Sequence, residues 1–500
     1  MIRKGDRIDM NNRHWEIVLI TVLMTRLAGA DWSAFEPLSE LHDGATSWSA
    51  INADDTICAI IYEFEYTGGG SEMYSLMYKN GAWGQPTPLP FVTIHAAICA
   101  GPDGRFHAIL YDNQFYYIVT DEAGNWSEPE PLGWAATSYP SITVTSEGRI
   151  IAAGIVGMGF NLVIKIQNDG NGWVNPEYVG TEGDREEFTD LSSGLWGDAH
   201  LFWSADSTKP QIGGRIGHCH IHPDGSWDRY YYRNSTGLAD VYAEVDHFDR
   251  VRIGYTKRID EIETAYTAMI AVPGGSMTDE VCLSTNWTWP ISSERALRVA
   301  VDPFDDLQTS WNRYYLLGEP GKTHCCVQYR ELRFMADTVE TELCQGDRFF
   351  PENILSDSHG NLHLFTNEWH FDKQQQSFHA MKTRDRPGAC LRLHPNTYHG
   401  NEPFDLHLEL QNHTGSPFQA DFYCCLEAYG RYYWYPGWTE EVSFQARVIP
   451  SNGVPEQSFL TFTVPDGLGE LGPFTLYAAM VNPETGELIG DYSAVMFRFR

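Results

Sequence analysis

The chain has 500 residues, of which 42% are hydrophobic and 13% aromatic; this composition belongs to a folded protein and excludes a disordered one. Its formal net charge of −33, from 34 Lys and Arg against 67 Asp and Glu, repels phosphate backbones and anionic lipid, so no nucleic-acid partner is expected. The length predicts two or three domains, and the abundant aromatic residues favour strands over helices.

Residues 1–30 have the order of a secretory signal peptide. Four basic residues precede the apolar run 17–24 (IVLITVLM), and Ala28-Gly29-Ala30 follows as a cleavage site of the A-x-A type. The run is shorter than the ~20 apolar residues that span a bilayer, so no membrane insertion is expected. We therefore expect an exported bacterial-type protein that is secreted, held at the cell surface, or periplasmic.

The ten cysteines fit an oxidising compartment, and their spacing contains no CxxC pair and no zinc-finger pattern. A disulfide between Cys58 and Cys99, or between Cys390 and either Cys424 or Cys425, is compatible with the sequence. The sequence does not fix the connectivity.

A unit of about fifty residues recurs between residues 31 and 385. The copy that begins at Pro140 contains four short apolar segments separated by Gly and Asp turns, which predicts a four-stranded antiparallel sheet. A turn followed by a second strand marks each copy. The equivalent residue of that strand is found at positions 58, 107, 151, 200, 252, 308 and 363.

A tryptophan marks the start of the fourth strand in the copies at Trp83, Trp126 and Trp173. Trp32 carries the same mark but has no three strands before it, whereas the last copy, up to about residue 382, lacks a Trp strand of its own. The N-terminal segment can therefore complete the last copy and close a ring, which removes exposed sheet edges. Residues 31–385 are predicted to form a seven-bladed β-propeller, with six or eight blades as the alternatives.

Two repeated motifs resemble the sialidase-like, BNR-repeat β-propellers of bacterial exported proteins. One is Gly-x-x-His in the second strand, as in Gly104-Arg-Phe-His107, and the other is Gly-x-Trp before the fourth strand, as in Gly81-Ala-Trp83. The family's complete Asp-box and the Arg-Ile-Pro that begins its arginine triad do not occur. The resemblance implies the fold rather than sialidase activity.

The composition changes after Arg386-Pro-Gly. About seven short apolar or alternating segments follow in residues 386–500, which predicts an immunoglobulin-like β-sandwich. This part resembles the terminal β-sandwich modules of bacterial exported proteins, notably in residues 482–490 (NPETGELIG). We expect it to attach, space or stabilise the propeller, and it could bind a cell-surface or protein partner.

The loops that enter the innermost strands and those that follow the second strands should converge at the central funnel of a propeller. They combine aromatic with charged residues, which suits a glycan or polysaccharide, because sugar rings stack on aromatic faces and hydroxyls need polar partners. The candidate ligand-binding aromatic residues are Tyr111, Trp203, Tyr255, Trp311 and Trp369.

Whether the protein is an enzyme stays open at this point. A glycoside hydrolase would need a pair of carboxylates, for which Glu63, Asp112 and Glu368 are candidates. A polysaccharide lyase would need a cation and a base, for which Arg258, Arg313, Tyr314 and His370 are candidates. A non-catalytic glycan binder and a protein-interaction scaffold are the other two hypotheses.

Two sets of histidines have regular spacing. His107, His200 and His363 occupy the same position of different copies and are predicted to be structural, each bonding the backbone of a neighbouring blade. In residues 218–222 (HCHIH), alternate histidines would share one face of a strand, and metal binding would require two of them plus a ligand from elsewhere. An ordinary exposed strand is the favoured interpretation, so no metal and no cofactor is expected.

Overall fold

The computed structural model describes residues 32–38, 44–65, 70–93, 95–133, 136–156, 161–166, 172–174, 176–180, 184–207, 214–233, 238–259, 262–283, 291–316, 323–333, 341–346, 349–369 and 375–500. These residues form strands and turns. Among them there is no helix that is long and apolar enough to cross a membrane. The signal peptide predicted for residues 1–30 lies outside the described residues.

Up to residue 382, the described part of the chain contains seven antiparallel sheets, numbered here by chain order of their first strands. The N-terminal strand β1 (Glu36–Pro37) belongs to the seventh. Sheet 1 contains β2 (Gly44–Ile51), β3 (Ile57–Glu65), β4 (Gly70–Lys79), β5 (Ala82–Trp83) and β6 (Thr87–Pro88). Sheet 2 contains β7 (His95–Ala100), β8 (Phe106–Asp112), β9 (Gln114–Val119) and β10 (Glu130–Pro131). Sheet 3 contains β11 (Ala136–Val144), β12 (Ile150–Val156), β13 (Asn161–Ile166) and β14 (Glu177–Tyr178).

The next three sheets follow the same order. Sheet 4 contains β15 (Asp184–Ser193), β16 (Ala199–Ser207), β17 (Gly214–Ile221) and β18 (Trp227–Arg233). Sheet 5 contains β19 (Leu238–Val245), β20 (Val251–Ile259), β21 (Ile262–Ile270) and β22 (Met277–Cys282). Sheet 6 contains β23 (Ile291–Val301), β24 (Leu307–Leu316), β25 (Thr323–Leu332) and β26 (Thr341–Gly346).

Sheet 7 combines the two ends of this region. It contains β27 (Phe349–Ser356), β28 (Leu362–Trp369) and β29 (Gln375–Lys382), and β1 pairs with β29 as its fourth strand. Trp32 forms a further bridge to Lys382. The N-terminal segment with Trp32, which has no three strands before it, therefore pairs with the last copy, which lacks a fourth strand of its own.

One five-residue turn recurs in all seven sheets between the first and second strands. In each, the backbone N–H of the first residue donates to the carbonyl of the fifth, as in residues 52–56, 101–105, 145–149, 194–198, 246–250, 302–306 and 357–361. The fourth residue has a positive φ, which Gly adopts freely and Asp more readily than most other side chains. Those residues are Asp55, Gly104, Gly148, Gly197, Asp249, Asp305 and Gly360.

The first strands of the sheets contact one another in sequence, and β27 also contacts β2, so the contacts run around a ring. Buried apolar side chains fill the spaces between adjacent sheets. The marker tryptophans lie there as well, each against the preceding sheet: Trp32 contacts Tyr329, Trp83 contacts His379, Trp126 contacts Ser75, Trp173 contacts Tyr117, and Trp227 contacts Glu177.

Residues 388–499 form two further sheets that enclose a separate apolar core, which includes Phe404, Phe422 and Met480. The smaller sheet contains β30 (Gly388–Arg392), β32 (Pro403–Gln411) and β36 (Val454–Thr463). The larger sheet contains β31 (Thr397–Tyr398), β33 (Phe418–Ala428), β34 (Arg431–Trp434), β35 (Gln445–Ile449), β37 (Leu471–Val481) and β38 (Ser493–Phe499). Strand β31 runs parallel to β38, and the other pairings within these two sheets are antiparallel.

Residues 386–500 contact the recurrent turns of six successive sheets, from sheet 2 to sheet 7. The contacts join His394 to Pro102, Arg500 to Glu147, Arg498 to Trp196, Tyr477 to Phe248, Arg386 to Asp306, and Arg392 to Ser358. Because these turns lie around the ring at the same end of the strands, residues 386–500 cover that end.

The structure corrects two details expected from the sequence. Cys58, Cys99, Cys390, Cys424 and Cys425 are free thiols, so neither suggested disulfide is formed. His107, His200 and His363 are buried, as a structural role requires. Their ring nitrogens, however, lie near side chains of their own sheets rather than near the backbone of a neighbour; the partners are Tyr117, His218 and His379.

Candidate functional site

The seven first strands enclose a central channel with a volume of about 720 Å³. All of β2, β7, β11, β15, β19, β23 and β27 contribute lining residues. The volume lies in the range of about 300–1,000 Å³ that is typical of small-molecule sites. Residues 386–500 contact the recurrent turns at one end of the strands that line this channel.

Charged residues in the channel are concentrated on one side. Asp190 of β15, Glu244 of β19, Arg298 of β23 and Glu352 of β27 line it, so four consecutive sheets each contribute one. The lining from sheets 1 to 3 consists of polar or apolar residues without a formal charge, among them Trp48 and His95. A ligand in this channel would meet carboxyl groups and a guanidinium group on one side only.

Asp190 is held in place by two backbone donors. Its Oδ2 accepts a hydrogen bond from the N–H of Ala243 at 2.7 Å, and its Oδ1 accepts one from the N–H of Leu191 at 3.1 Å. Burial nevertheless raises the pKa of Asp190 to about 6, while the nearby Arg298 lowers it and limits the shift. Backbone N–H groups of its own strand and of the neighbouring sheet therefore orient the carboxyl group, and its pKa lies above the ordinary value.

Arg298 and Glu352 are neighbours on β23 and β27. The Arg298 Nε donates to the backbone oxygen of Glu352 at 2.6 Å, and the guanidinium lies 4.1 Å from the ring centroid of Tyr242. The Glu352 Oε1 accepts a hydrogen bond from Asn367 Nδ2 at 2.8 Å. Burial raises the pKa of Glu352 to about 7, although Arg298 acts in the opposite direction.

Glu244 is the carboxyl group with the most altered environment in the channel. Glu244 itself is exposed, but it lines a channel that the first strands of all seven sheets enclose. This desolvation, with the nearby charge of Asp190, raises the pKa of Glu244 to about 8. Three carboxyl groups with raised pKa values in one cavity make the channel a candidate functional site.

The sequence-predicted carboxylates and bases lie elsewhere. Glu63 is buried in β3 and accepts a hydrogen bond from Tyr74 at 2.7 Å, and Asp112 is exposed at the end of β8. Glu368 and Arg313 are buried in the second strands of sheets 7 and 6. Tyr314 contacts the ring of Phe350. None of these five is among the described residues that line the channel.

Three of the predicted aromatic residues are packed inside the protein. Trp203, Tyr255 and Trp311 are fully buried in the second strands of sheets 4, 5 and 6. Trp203 packs so closely on Gly217 that a Cβ there would lie 2.0 Å from its ring. We assign these three rings to the core, because stacking on a sugar requires an open face.

The remaining predictions are tested less directly. Tyr111 is half-buried and contacts the rings of His95 and Phe115. Arg258 and Trp369 lie in strands opposite Glu263 and Gln375, and their side chains are outside the described residues, as is all of His370. These residues stay predictions.

The channel residues differ from those predicted from the sequence because they lie within first strands, whereas the predicted site residues were expected in loops. Their signal is a charged residue inside an apolar first strand, as in Glu244 of VYAEV and Arg298 of ALRVAV. Buried charges are costly unless they are paired or used, so such positions are candidates for function.

No protein-family model and no curated protein matches the chain. Among solved structures, it is similar to a lectin from Burkholderia pseudomallei, with 13% identity, a TM-score of 0.45, and coverage of 65% of this chain and 96% of that chain. It is also similar to a protein of unknown function from Dyadobacter fermentans, with 13% identity, a TM-score of 0.41, and coverage of 61% and 98%. A third similar structure is an α-L-arabinanase from Penicillium chrysogenum complexed with arabinobiose, with 11% identity, a TM-score of 0.37, and coverage of 62% and 95%. At these scores the similarities carry no argument about function.

Proposed function

We propose that the protein recognises a carbohydrate in the central channel of a seven-bladed β-propeller formed by residues 31–385. Two observations support this architecture: the seven sheets that share one turn and one strand register, and the ring of contacts between their first strands. The pairing of β1 with β29 supports a ring closed by the N-terminal segment. Residues 386–500 are proposed to form an immunoglobulin-like sandwich that covers one end of the channel.

The observation that carries the functional proposal is the one-sided arrangement of Asp190, Arg298 and Glu352 in a channel that is also lined by the aromatic residues Trp48 and Tyr242. Carboxyl and guanidinium groups can bind sugar hydroxyls at two points, while aromatic rings can pack against the C–H faces of the sugar. Burial raises the pKa values of both carboxyl groups, so each stays protonated to a higher pH than an exposed one, and the protonated form can donate a hydrogen bond as well as accept one. This combination suits a sugar without a charged group.

The N-terminal sequence supports an extracellular role. The order of residues 1–30 is that of a secretory signal peptide, which is consistent with export to the cell surface or beyond. In that setting, a glycan or polysaccharide is the proposed partner, and residues 386–500 serve to hold the propeller and to close one end of the channel.

Hydrolysis of the bound glycan is a second candidate function, favoured by one specific observation. Burial raises the pKa values of Glu352 and Asp190, which line the same channel, so both carboxyl groups hold a proton to a higher pH than exposed ones do. A glycosidase needs two carboxyl groups, one acting as general acid and the other as base or nucleophile. Arg298 lowers the pKa of both and so favours the ionised form that a base or nucleophile needs.

The proposal is tested with the purified full chain and a mixed library of sialylated, uronic-acid and neutral glycans. Captured glycans are identified by mass spectrometry, and dissociation constants are measured for the wild type, Arg298→Gln and Glu352→Gln. We expect each variant to lose at least about tenfold in affinity, because each removes a charge-assisted hydrogen bond. Arg431→Gln is the matched control, since Arg431 pairs with Glu440 on the exposed surface of residues 386–500.

A library from which the folded protein captures nothing would overturn the proposal. So would captured glycans whose affinity is the same for the wild type and both channel variants. Product masses decide the second candidate: water added across a glycosidic bond indicates hydrolysis, and an unchanged library indicates binding alone.

A further inference from the structure

Three side chains with metal-binding atoms meet at the start of the second strand of sheet 4. Asp198 is the last residue of the recurrent turn, and His200 and His220 face each other across β16 and β17 with their rings stacked 4.9 Å apart. The Asp198 Oδ2 lies 2.8 Å from His220 Nε2 and 3.4 Å from His200 Nε2. One ligand atom from each of the three residues lies within 4.8 Å of the other two.

His200 supplies an independent indication of a ligand. Its side chain is 2% exposed, and its Nε2 makes no hydrogen bond within the described residues, although it faces the Asp198 carboxylate. The other nitrogen, Nδ1, lies 3.0 Å from His218 Nε2, which fixes the ring. When Nδ1 carries the proton and donates it to His218, the Nε2 lone pair points towards the carboxylate, an arrangement that a bound cation stabilises.

Glycine at position 194 allows this geometry. A Cβ at Gly194 would lie 2.1 Å from Asp198 Oδ1, so any other residue would displace the carboxylate. The equivalent first position of the turn in sheet 7 is Asp357, whose own carboxylate approaches the equivalent histidine, His363, at 3.7 Å. In sheet 4 the carboxylate instead comes from the fifth residue of the turn.

We propose that Asp198, His200 and His220 form a binding site for a divalent first-row transition metal, with Zn²⁺ as the ion that fits best. Two imidazole nitrogens and one carboxylate oxygen are a common zinc ligand set, and a water molecule completes the tetrahedron. With metal–ligand bonds of ~2.0–2.1 Å, tetrahedral ligand atoms lie about 3.3 Å apart, and the distances from Asp198 Oδ2 to the two histidine nitrogens, 2.8 and 3.4 Å, are close to this value. The His220 side chain is 14% exposed, which gives the fourth position access to solvent.

Metal binding exchanges the contact between His220 and Asp198 for bonds to the ion. The proton on His220 Nε2 moves to Nδ1 or leaves to solvent, and the freed lone pair coordinates the metal. His218 and His222, which the sequence pattern placed with His220, have other partners: His218 lies 3.1 Å from the Tyr232 hydroxyl, and His222 lies 3.0 Å from Asp228.

Sheet 7 is an internal comparison for this site. It repeats the histidine pair, with His363 Nδ1 lying 3.0 Å from His379 Nε2, in the same register as His200 and His218. The residue opposite His363 is Met381, however, where sheet 4 has His220 opposite His200. The substitution His220→Met therefore removes one ligand and installs a side chain that this position already holds in the same fold.

The test uses the untagged full chain after exhaustive dialysis against a chelator. Zn²⁺ binding is measured by isothermal titration calorimetry, and Co²⁺ is added as a probe whose visible absorption reports tetrahedral coordination. The wild type should bind one ion and should show a higher thermal midpoint with Zn²⁺, because the unfolded chain does not assemble the site. His220→Met and Asp198→Asn should each lose at least about tenfold in affinity, together with the tetrahedral Co²⁺ bands. His222→Gln is the matched control and should bind as the wild type does.

The proposal is overturned if the folded wild type binds no stoichiometric ion. It is also overturned if His220→Met binds as tightly as the wild type, or if His222→Gln loses as much affinity as His220→Met. If Asp198→Asn fails to fold, His220→Met alone decides, since its side chain is compatible with the sheet.

Discussion

Trp83 of sheet 1 packs edge-on against His379 of sheet 7, with their ring centroids 5.2 Å apart and their planes at 85°. The same tryptophan contacts Phe365 of sheet 7 at 6.2 Å. These contacts join the first sheet of the chain to the last. The other described tryptophans at the start of fourth strands, Trp32, Trp126, Trp173 and Trp227, also contact the preceding sheet. The first and last sheets are therefore in contact in the same way as sheets that follow each other in the chain.

Removing the Trp83 ring should lower the stability of the protein. We expect Trp83→Ala to lower the free energy of unfolding by about 2–3 kcal/mol, somewhat less than for a fully buried tryptophan because Trp83 is half-buried. Trp83→Phe should cost less than ~1.5 kcal/mol, since an aromatic ring remains and Trp83 Nε1 makes no hydrogen bond within the described residues. Denaturant unfolding measures both. A loss for Trp83→Ala no larger than for Trp83→Phe would contradict this role.

The contact between residues 386–500 and sheet 6 depends on a buried charge network. Asp491 pairs with Arg384 and Arg386, and Arg384 also lies 3.5 Å from Asp302. We expect Asp491→Asn to lower the free energy of unfolding by about 2–3 kcal/mol, because it leaves nearly buried guanidinium groups with one fewer anion. Glu440→Gln, which breaks the exposed pair with Arg431, is the control and should leave the stability unchanged, because solvent screens an exposed pair. Equal effects of the two variants would show that the network does not hold these parts together.

Gly217 is required by the ring that packs on it. Since a Cβ at this position would lie 2.0 Å from the buried Trp203, we expect Gly217→Ala to destabilise the protein by about 1–3 kcal/mol. Gly437→Ala is the matched control, because that exposed glycine has no atom closer than 3.7 Å to the added methyl group. Thermal unfolding compares the two, and a Gly217→Ala midpoint at the wild-type value would rule out the observed packing.

The carboxyl groups of the channel predict a pH dependence of stability. The pKa of Glu352 is raised to about 7 from an ordinary 4.5, so the folded protein holds this proton more tightly than the unfolded chain does. Its contribution is therefore complete below the unfolded pKa and is lost as the pH rises through the folded pKa. Glu352→Gln stays neutral, so its stability relative to the wild type should increase between about pH 5 and about pH 8.

Urea unfolding at several pH values measures this difference, with Glu484→Gln at an exposed turn as the control. Among the described residues, Arg298 is the charged group that lowers the pKa of Glu352. The side-chain amide of Asn367 also donates a hydrogen bond to the Glu352 carboxyl group. A relative stability of Glu352→Gln that stays constant over this range would mean that Glu352 is hydrated as in the unfolded chain.

The turns and the tryptophans explain how much of the fold could be predicted. Asp or Gly recurs at the fourth position of each turn because the backbone there has a positive φ, so the repeat is visible in the sequence. The segment 32–37 was predicted to pair with the last copy, and it pairs with β29 because that copy offers an unpaired edge. The turn residue and the tryptophan of segment 32–37 are each recognisable from a few neighbouring residues, which is why the sequence pattern reveals them.

The candidate site could not be predicted in the same way. Trp203 and Trp311 were expected in loops after the second strands, yet they lie in the middle of β16 and β24, where they are completely buried. Glu244 and Arg298 stand in apolar strands, and only assembly of the ring turns these strands towards a common channel. Which face of a strand is turned to the axis depends on the packing of seven sheets, and a single strand's pattern does not encode it.

The most direct test of the central claim locates the bound sugar. A photoreactive derivative of the best captured glycan is cross-linked to the full chain, and the modified peptides are identified by mass spectrometry. We predict that cross-links fall on β15, β19, β23 and β27, which carry Asp190, Glu244, Arg298 and Glu352. Cross-links confined to residues 386–500 or to the outer strands would contradict a binding site in the channel.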